Sequence, residues 1–374
     1  MAPTAQATVP PSRSGEPSAD PATDLPGRIP DLRTHGFLPE RPPVRTMIGT
    51  WAWLDELAGA VATAPDRDTA RALVAHAGRD GVLTALRQRV SRLSPRNADA
   101  ASLRVAVIAA ACGWSGLDPL VPTARHTADL AFLDLWSAVG HRVDHQQFVA
   151  LPTLALLNWA PERKPRRHLP IDQLARTEGL VPVVRWSPQG QPLGRLDRLM
   201  LATTRLEAHG IWLFRLAGTL AGRAPGDAST GTALRRLIRV QHALRAQLRA
   251  EAAVLRAAPA PEWQGVVLAE LAGLGALEPP VFQAADAVLC AGGRRMGDAG
   301  RHRLRRHLPV RHRAWLSALN RHCAPVRTLA HRGGPDAAAY REAQESLIAL
   351  RRTYAGLVHC AAARPAGGQL SAVA

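Results

Sequence analysis

An all-α protein with a sizeable core is the fold class that this sequence predicts. In long segments beyond residue 45, apolar residues recur every three or four positions, which is the spacing of one face of a helix. Proline and glycine separate these segments, and the one β-branched run, 180–186, is short. Because 47% of the 374 residues are hydrophobic, the chain has enough apolar side chains to fill a large interior.

The composition divides the chain into four parts. Residues 1–30 are rich in Pro, Ala, Ser and Thr and have no apolar stripe, so we expect a disordered tail. This tail also lacks the apolar run of a secretory signal. We expect a smaller N-terminal helical part at 31–160, a larger C-terminal helical domain at 161–365, and a second flexible tail at 366–374.

Three segments of the N-terminal part predict helices, at 66–90, 101–113 and 127–140. The first carries apolar residues at helical spacing. The second is largely apolar on all sides, which is typical of a buried central helix. No apolar run in the chain reaches the length of a membrane span, so we expect no membrane association.

Two segments open the C-terminal domain. The β-branched run 180–186 is followed by the turn-forming residues 188–192, which together predict a β-hairpin. The segment 232–257 predicts a long surface helix, because its arginines lie largely opposite its apolar face. That face consists of Leu234, Leu237, Ile238, Leu244, Leu248 and Leu255.

The last third of the chain contains an acid and a base that we expect to pair. Asp286 lies among the apolar residues of a predicted helix at 280–290, where an unpaired carboxylate carries a large desolvation cost. A second helix, 336–362, has Arg351 at the edge of its apolar stripe, one turn before Tyr354. The stripe consists of Tyr340, Ala343, Leu347, Leu350, Tyr354, Leu357 and Ala361. We therefore predict a buried ion pair between Asp286 and Arg351.

Five short segments occur in one order between residues 36 and 363. They are Gly36-Phe37-Leu38-Pro39, Leu156-Leu157-Asn158-Trp159, Val281-Phe282-Gln283 with Asp286, Arg305-Arg306-His307-Leu308-Pro309 with His312-Arg313, and Arg341-Glu342-Ala343 leading to Leu350-Arg351. This series resembles the indoleamine 2,3-dioxygenase superfamily of heme proteins, in particular its bacterial branch of the monodechloroaminopyrrolnitrin synthase type.

The resemblance implies a multi-helix indoleamine-dioxygenase-like fold that binds heme b. It also implies an oxygenase, or an enzyme of oxidative rearrangement, in specialised metabolism. The scattered cysteines, expected to be reduced thiols, separately favour a cytoplasmic protein. Its partners would be an indole or other small aromatic amino-acid derivative and O₂ or peroxide, and a homodimer is one assembly that the resemblance allows.

On the proximal side of the heme, the resemblance implies that Asp286 and Arg351 brace the cofactor. Tyr354 stands where the family has the histidine that ligates iron. A tyrosinate can ligate ferric heme if a nearby cation lowers its pKa, and we expect Arg351 to be that cation. His359 is the alternative ligand, although five residues turn a helix by about 500°, which directs it away from the stripe. The other interpretation is that Tyr354 is a packed core residue and that heme is lost.

On the distal side, the family's substrate-contacting serine corresponds to Thr203, the candidate catalytic residue. Its hydroxyl would hydrogen-bond dioxygen or substrate; the alternative is a bond to its own i−4 carbonyl. The family's carboxylate-binding arginine is replaced by Ala269. The resemblance places five further residues around the substrate: Trp159, Leu199, Gln264, Gly275 and Ala276.

Two alternatives to the oxygenase stay open. The first is a relative that has lost heme and binds or transforms a hydrophobic ligand. The second is a basic nucleic-acid-binding protein, which the net charge of +17 suggests. Lys164 is the only lysine among 47 basic residues, a bias typical of a GC-rich genome, and two Tyr and five Phe offer few stacking platforms. The four scattered cysteines are expected to be reduced thiols.

Overall fold

The residues that the computed structural model describes are predominantly helical, as the sequence predicts, with one short two-stranded sheet. The described residues are 35–115, 129–143, 149, 151–163, 170–176, 179–221, 223, 227–259, 262–273, 278–290, 305 and 308–362. The expected tails, 1–30 and 366–374, lie outside them. Within the described residues, no helix combines the length and the hydrophobicity that crossing a membrane requires.

The N-terminal part consists of short helices around one long buried helix. They are α1 (Ala52–Ala62), α2 (Arg67–Arg79), α3 (Val82–Arg89), α4 (Pro95–Ala111), α5 (Leu130–Val143) and α6 (Leu151–Leu156), with 3₁₀ turns at Gly49–Trp51 and Val90–Arg92. The helix α4 starts at Pro95 behind the N-cap Ser94, and twelve of its seventeen residues are buried. This agrees with the predicted central helix.

The predicted single helix 66–90 is wrong, because the structure divides it into α2 and α3. Asp66 caps α2 by accepting the N–H of Thr69 at 2.8 Å. The break comes at Gly81, whose φ of 73° is left-handed and cannot continue a helix. The apolar residues before and after the break still face the same interior.

The C-terminal part is built around three long helices. Its elements are β1 (Ala160–Pro161), α7 (Ile171–Leu174), β2 (Leu180–Val181), α8 (Arg195–Leu220), α9 (Ala228–Arg256), α10 (Glu262–Gly273), α11 (Pro280–Leu289), α12 (Val310–His322), α13 (Ala324–Arg327), the 3₁₀ turn Thr328–His331 and α14 (Pro335–Ala362). The helices α9 and α14 pack along each other, and α8 contacts both. The predicted apolar faces of α9 and α14 are buried, and most of the buried hydrophobic side chains described between residues 37 and 361 form one connected core.

The predicted hairpin around 188–192 is wrong. The strand β2 pairs antiparallel with the upstream strand β1, in the register Ala160 to Val181 and Pro161 to Leu180. The segment after β2 is instead a loop closed by Asp197 of α8, whose carboxylate accepts the backbone N–H groups of Trp186 and Ser187 at 2.8 and 3.0 Å. The buried Asp197 carboxylate thus accepts backbone N–H groups that would pair with the second strand in a hairpin.

The helix α11 is anchored on α14 at its C-terminal end. It ends at Cys290, which has a left-handed φ of 51°. Two side chains of α14, Tyr340 and Gln344, donate hydrogen bonds to the carbonyl of Leu289, at 2.8 and 2.6 Å. These bonds satisfy a backbone carbonyl in the last turn of α11, where carbonyls have no partner within the helix, and they hold Asp286 beside α14.

Candidate functional site

Asp286 and Arg351 form the predicted ion pair between α11 and α14. The distance between Arg351 Nη1 and Asp286 Oδ1 is 3.1 Å, and Asp286 is buried. A second acid, Glu278, receives two bonds from the same guanidinium, at 2.8 Å from Nε and 2.6 Å from Nη2. Burial raises the pKa of Glu278, and Arg351 opposes that rise. One cation thus serves two carboxylates.

Tyr354 lies buried one turn after Arg351 and contacts Thr203 of α8. The two hydroxyl oxygens are 3.0 Å apart. Thr203 Oγ1 donates its single hydrogen to the carbonyl of Leu199, at 2.9 Å, so the Tyr354 hydroxyl is the donor between the two side chains. The rings of Phe282 and Tyr354 form a T-shaped pair, with centroids 5.7 Å apart. The tyrosine is therefore fixed by a hydrogen bond and by ring packing.

The expectation that Arg351 lowers the pKa of Tyr354 is wrong. Burial raises the pKa of the phenol well above its usual range, and the nearby carboxyl of Glu207 raises it further. The hydrogen bond to Thr203 opposes this rise only in part. Arg351 is directed instead towards its two carboxylates. Tyr354 is therefore a neutral phenol in this arrangement, which disfavours the tyrosinate that iron ligation needs.

A heme does not fit between Tyr354 and Thr203 in this structure. The resemblance places these two residues on opposite faces of the macrocycle. A side chain in van der Waals contact with a flat ring lies about 3.5 Å from it, so a macrocycle between the two residues would hold their hydroxyls beyond hydrogen-bond distance even if the phenolate bonded the iron directly. The hydroxyls are instead in direct contact at 3.0 Å. His359, the alternative ligand, is exposed, as the helical geometry predicts.

In two of the other predicted pocket residues, Trp159 and Gln264, the side chain donates a hydrogen bond to a backbone carbonyl. Trp159 is buried and donates its indole N–H to the carbonyl of Leu156 at 3.0 Å. Gln264 is buried and donates to the carbonyl of Trp186 at 3.1 Å. Leu199 lies one turn before Thr203; its carbonyl accepts the Thr203 hydroxyl, and its side chain is buried in the core. Gly275 and Ala276 lie outside the described residues.

Glu207 is a buried acid near Tyr354 that was not among the residues predicted from the sequence. It lies one turn after Thr203 on α8, and it accepts the N–H of Val281 at 3.0 Å in the first turn of α11. Burial raises its pKa to about 8, and the bond from Val281 opposes that rise. The signal that reveals it is the i, i+4 spacing of Thr203 and Glu207 on one apolar helical face.

A close approach of two helices makes this contact possible. Gly210 faces Val281, and a Cβ at Gly210 would lie 2.6 Å from a methyl carbon of Val281. Only glycine lets the start of α11 come near enough for Glu207 to reach the Val281 N–H. Burial favours the neutral forms of Glu207 and Tyr354, which hold protons and brace helices, and this is a structural role.

A cavity of about 350 Å³ lies elsewhere, where the N-terminal part meets the start of α12. Three of the five segments that carry the resemblance line it, through residues 37–39, 156–157, and 308–310 with His312. Its wall is mostly apolar; the polar side chains are Asp99, Arg142, Thr153 and His312. Arg142 donates one N–H to the carbonyl of Leu93 at 2.6 Å, which orients the guanidinium; its other N–H groups make no hydrogen bond to the residues that the structure describes.

The comparisons with known proteins leave the family as an expectation, since the chain matches no protein-family model and no curated protein sequence. Among the described residues, no group of three or more His, Cys, Asp and Glu side chains is arranged to hold a metal ion. None of the four cysteines, all of which lie within the described residues, forms a disulfide bond.

Proposed function

We propose that this protein binds a small amphipathic molecule in the 350 Å³ cavity beside α12 and carries no heme on Tyr354. The composition of the cavity is the observation that carries this proposal. Small-molecule sites have volumes of about 300–1,000 Å³, apolar walls and a few polar groups that orient the ligand. The cavity fits this description, and the contact between Tyr354 and Thr203 supports the absence of heme.

The ligand class follows from the wall. Phe37, Leu156 and Leu157 favour an aromatic or aliphatic body. Arg142 presents a guanidinium held by Leu93, which suits a carboxylate on the ligand because arginine binds carboxylates through paired N–H groups. An aromatic carboxylic acid, such as an indole or phenyl acid, combines both features.

Val310 provides a direct test, because it lines the cavity and is 41% exposed, so that a larger side chain at this position leaves the core intact. We expect calorimetry to show binding of indole-3-acetate or phenylacetate to the wild type. Val310→Trp should abolish this binding by filling the cavity. The control is Val254→Trp on α9, at a position with 48% exposure, and it should bind like the wild type.

The contribution of Arg142 is tested with two probes. Arg142→Gln should weaken indole-3-acetate by roughly tenfold or more, since a hydrogen bond to a charged group contributes about 1.5–3 kcal/mol. It should leave the weaker binding of indole, which has no carboxylate, unchanged. Equal binding of the acid to the wild type and to Val310→Trp would show that the cavity is not the site.

The heme-dependent oxygenase is the second candidate function. The observation that favours it is the ion pair of Asp286 and Arg351, the residues to which the resemblance assigns the proximal side. Bound heme would supply the activation of O₂ or peroxide, and the side chains of Tyr354 and Thr203 would have to separate to admit it.

An absorption spectrum separates the two candidates. After expression with a heme supply, we expect purified protein without a Soret band. A stoichiometric Soret band that Tyr354→Phe abolishes would favour the oxygenase and overturn the heme-free proposal.

A further inference from the structure

A second cavity, of about 520 Å³, lies on the N-terminal part, between residues 44–51 and the junction of α3 with α4. Four arginine side chains from three different segments line it, and we refer to it as the arginine groove. They are Arg45, Arg89, Arg92 and Arg96.

The arginine groove carries an uncompensated positive charge. Within the part of the chain that the structure describes, none of its four arginines forms an ion pair, whereas Arg67, Arg104 and Arg205 each pair with an acid. The side chain of Arg89 donates to the hydroxyl of Thr50, and that of Arg96 donates to a backbone carbonyl at 3.0 Å. Four guanidinium groups around one concavity repel one another, and a bound anion would relieve that repulsion.

One wall of the groove is held in place by a buried ion pair. Arg104 of α4 is 1% exposed, and its Nη2 donates to the carbonyls of Val44 and Arg45, at 3.2 and 3.1 Å. Its Nε bonds Asp55 Oδ1 at 2.5 Å, and Asp55 Oδ2 accepts the N–H of Met47, also at 2.5 Å. Burying a guanidinium is costly unless every partner is in place. The cation and the acid together fix residues 44–47 and therefore the position of Arg45.

The rest of the groove combines further positive potential with apolar surface. The helix α4 begins beside it at Pro95, and the N-terminus of a seventeen-residue helix carries a partial positive charge. The apolar lining includes Trp51 and Ile48, and Ile48 is 81% exposed. An exposed isoleucine next to four arginines matches a ligand with both an anionic and an apolar portion.

We propose that the arginine groove binds a phosphorylated small molecule, with its phosphates among the four arginines and an apolar ring against Trp51 and Ile48. Guanidinium groups bind phosphate through paired N–H donors, which makes arginine the preferred residue for this ligand. The confined volume of the groove favours a small molecule over nucleic acid, since a polymer needs a basic track that continues along the surface.

Calorimetry with pyrophosphate, ADP and adenosine tests the proposal at moderate salt. The test variant is Arg45→Gln with Arg92→Gln, because these two side chains make no hydrogen bond within the described residues and their loss leaves the fold intact. The matched control is Arg235→Gln with Arg239→Gln. These two arginines are exposed on α9, and their replacement removes the same net charge. A thermal unfolding curve checks that both double variants fold.

We expect ADP to bind more tightly than pyrophosphate, and adenosine to bind weakly. The groove variant should lose roughly a hundredfold in ADP affinity, or about tenfold for each arginine, and the control should stay within about twofold. ADP affinity that the groove variant retains would overturn the proposal. Equal affinities for pyrophosphate and ADP would assign the groove to inorganic phosphate instead. Tighter binding of a short single-stranded oligonucleotide, weakened equally in both double variants, would indicate a general nucleic-acid surface.

Discussion

Replacing Glu207 with glutamine should stabilise the protein at alkaline pH and leave it nearly unchanged in acid. The carboxyl of Glu207 is buried, and among the described residues its one hydrogen bond comes from the N–H of Val281 at 3.0 Å. Burial raises its pKa from 4.5 to about 8. Glutamine keeps the carbonyl oxygen that accepts this bond and carries no charge at any pH.

The magnitude follows from the linkage between protonation and folding. Below pH 4.5 the folded and the unfolded chain both hold the proton, so the free energy of unfolding has its full value. As the pH rises towards 8, the unfolded chain releases the proton and the folded chain keeps it, so the free energy of unfolding falls. At about 1.4 kcal/mol for each pH unit, the loss reaches about 4–5 kcal/mol. The N-terminus of α11 stabilises a carboxylate by about 0.3–1 kcal/mol, which reduces the loss to roughly 3–5 kcal/mol.

Urea denaturation at intervals between about pH 5 and pH 8 measures this loss in the wild type and in Glu207→Gln. The two proteins should have similar free energies of unfolding at the acidic end and diverge steadily as the pH rises, with the variant more stable. Other buried acids, such as Glu278, titrate in both proteins, so their effect cancels in the difference.

Glu342→Gln is the matched control, because it makes the same chemical change at an exposed position of α14. The free energy of unfolding of this control should not show the pH-dependent divergence from the wild type that we expect of Glu207→Gln. A constant difference for Glu207→Gln as well, or a variant that is less stable than the wild type at pH 8, would refute the argument that burial keeps Glu207 protonated.

Two further perturbations test the interior around α11. Arg351→Met should lower the free energy of unfolding, measured by urea denaturation, by about 3–5 kcal/mol, because it removes the cation that Glu278 and Asp286 share. Asp286→Asn should lower it less, since Arg351 still pairs with Glu278. A cost for Arg351→Met below that of Asp286→Asn would contradict the shared-cation geometry. Gly210→Ala should cost about 1–3 kcal/mol by forcing α8 and α11 apart, and adding Val281→Ala should recover part of that loss. Additive costs for these two changes would show that they do not contact each other.

The sequence was informative wherever one helical face decides the outcome. The apolar stripe of α14 is buried at each predicted position, and α9 has its leucines inside and its arginines largely outside. The pairing of Asp286 with Arg351 was predictable for the same reason, since a buried carboxylate needs a cation and the stripe offered one at its edge. The break at Gly81 was not recognised, because apolar spacing continues across a left-handed turn.

The site depended on distances that no local pattern contains. Periodicity placed Tyr354 and Thr203 on buried faces. It did not predict that the hydroxyls of these two residues, which are 151 positions apart in the chain, lie 3.0 Å from each other. That contact changes the interpretation of Tyr354 from a candidate iron ligand to a neutral hydrogen-bond donor. Glu278 was missed as a partner of Arg351 because it lies before α11, outside any helical pattern.

Composition and helical periodicity by themselves determined that this protein is all-α, which faces its long helices bury, and that Asp286 needs a basic partner. These are local properties, because the burial of a side chain follows from its position within one helix. The tertiary structure alone decided that α8 and α14 meet without a gap for heme, that Glu207 reaches Val281 past Gly210, and that four arginines from three segments converge on one groove. These are contacts between helices distant in the chain, and their distances depend on how the core packs.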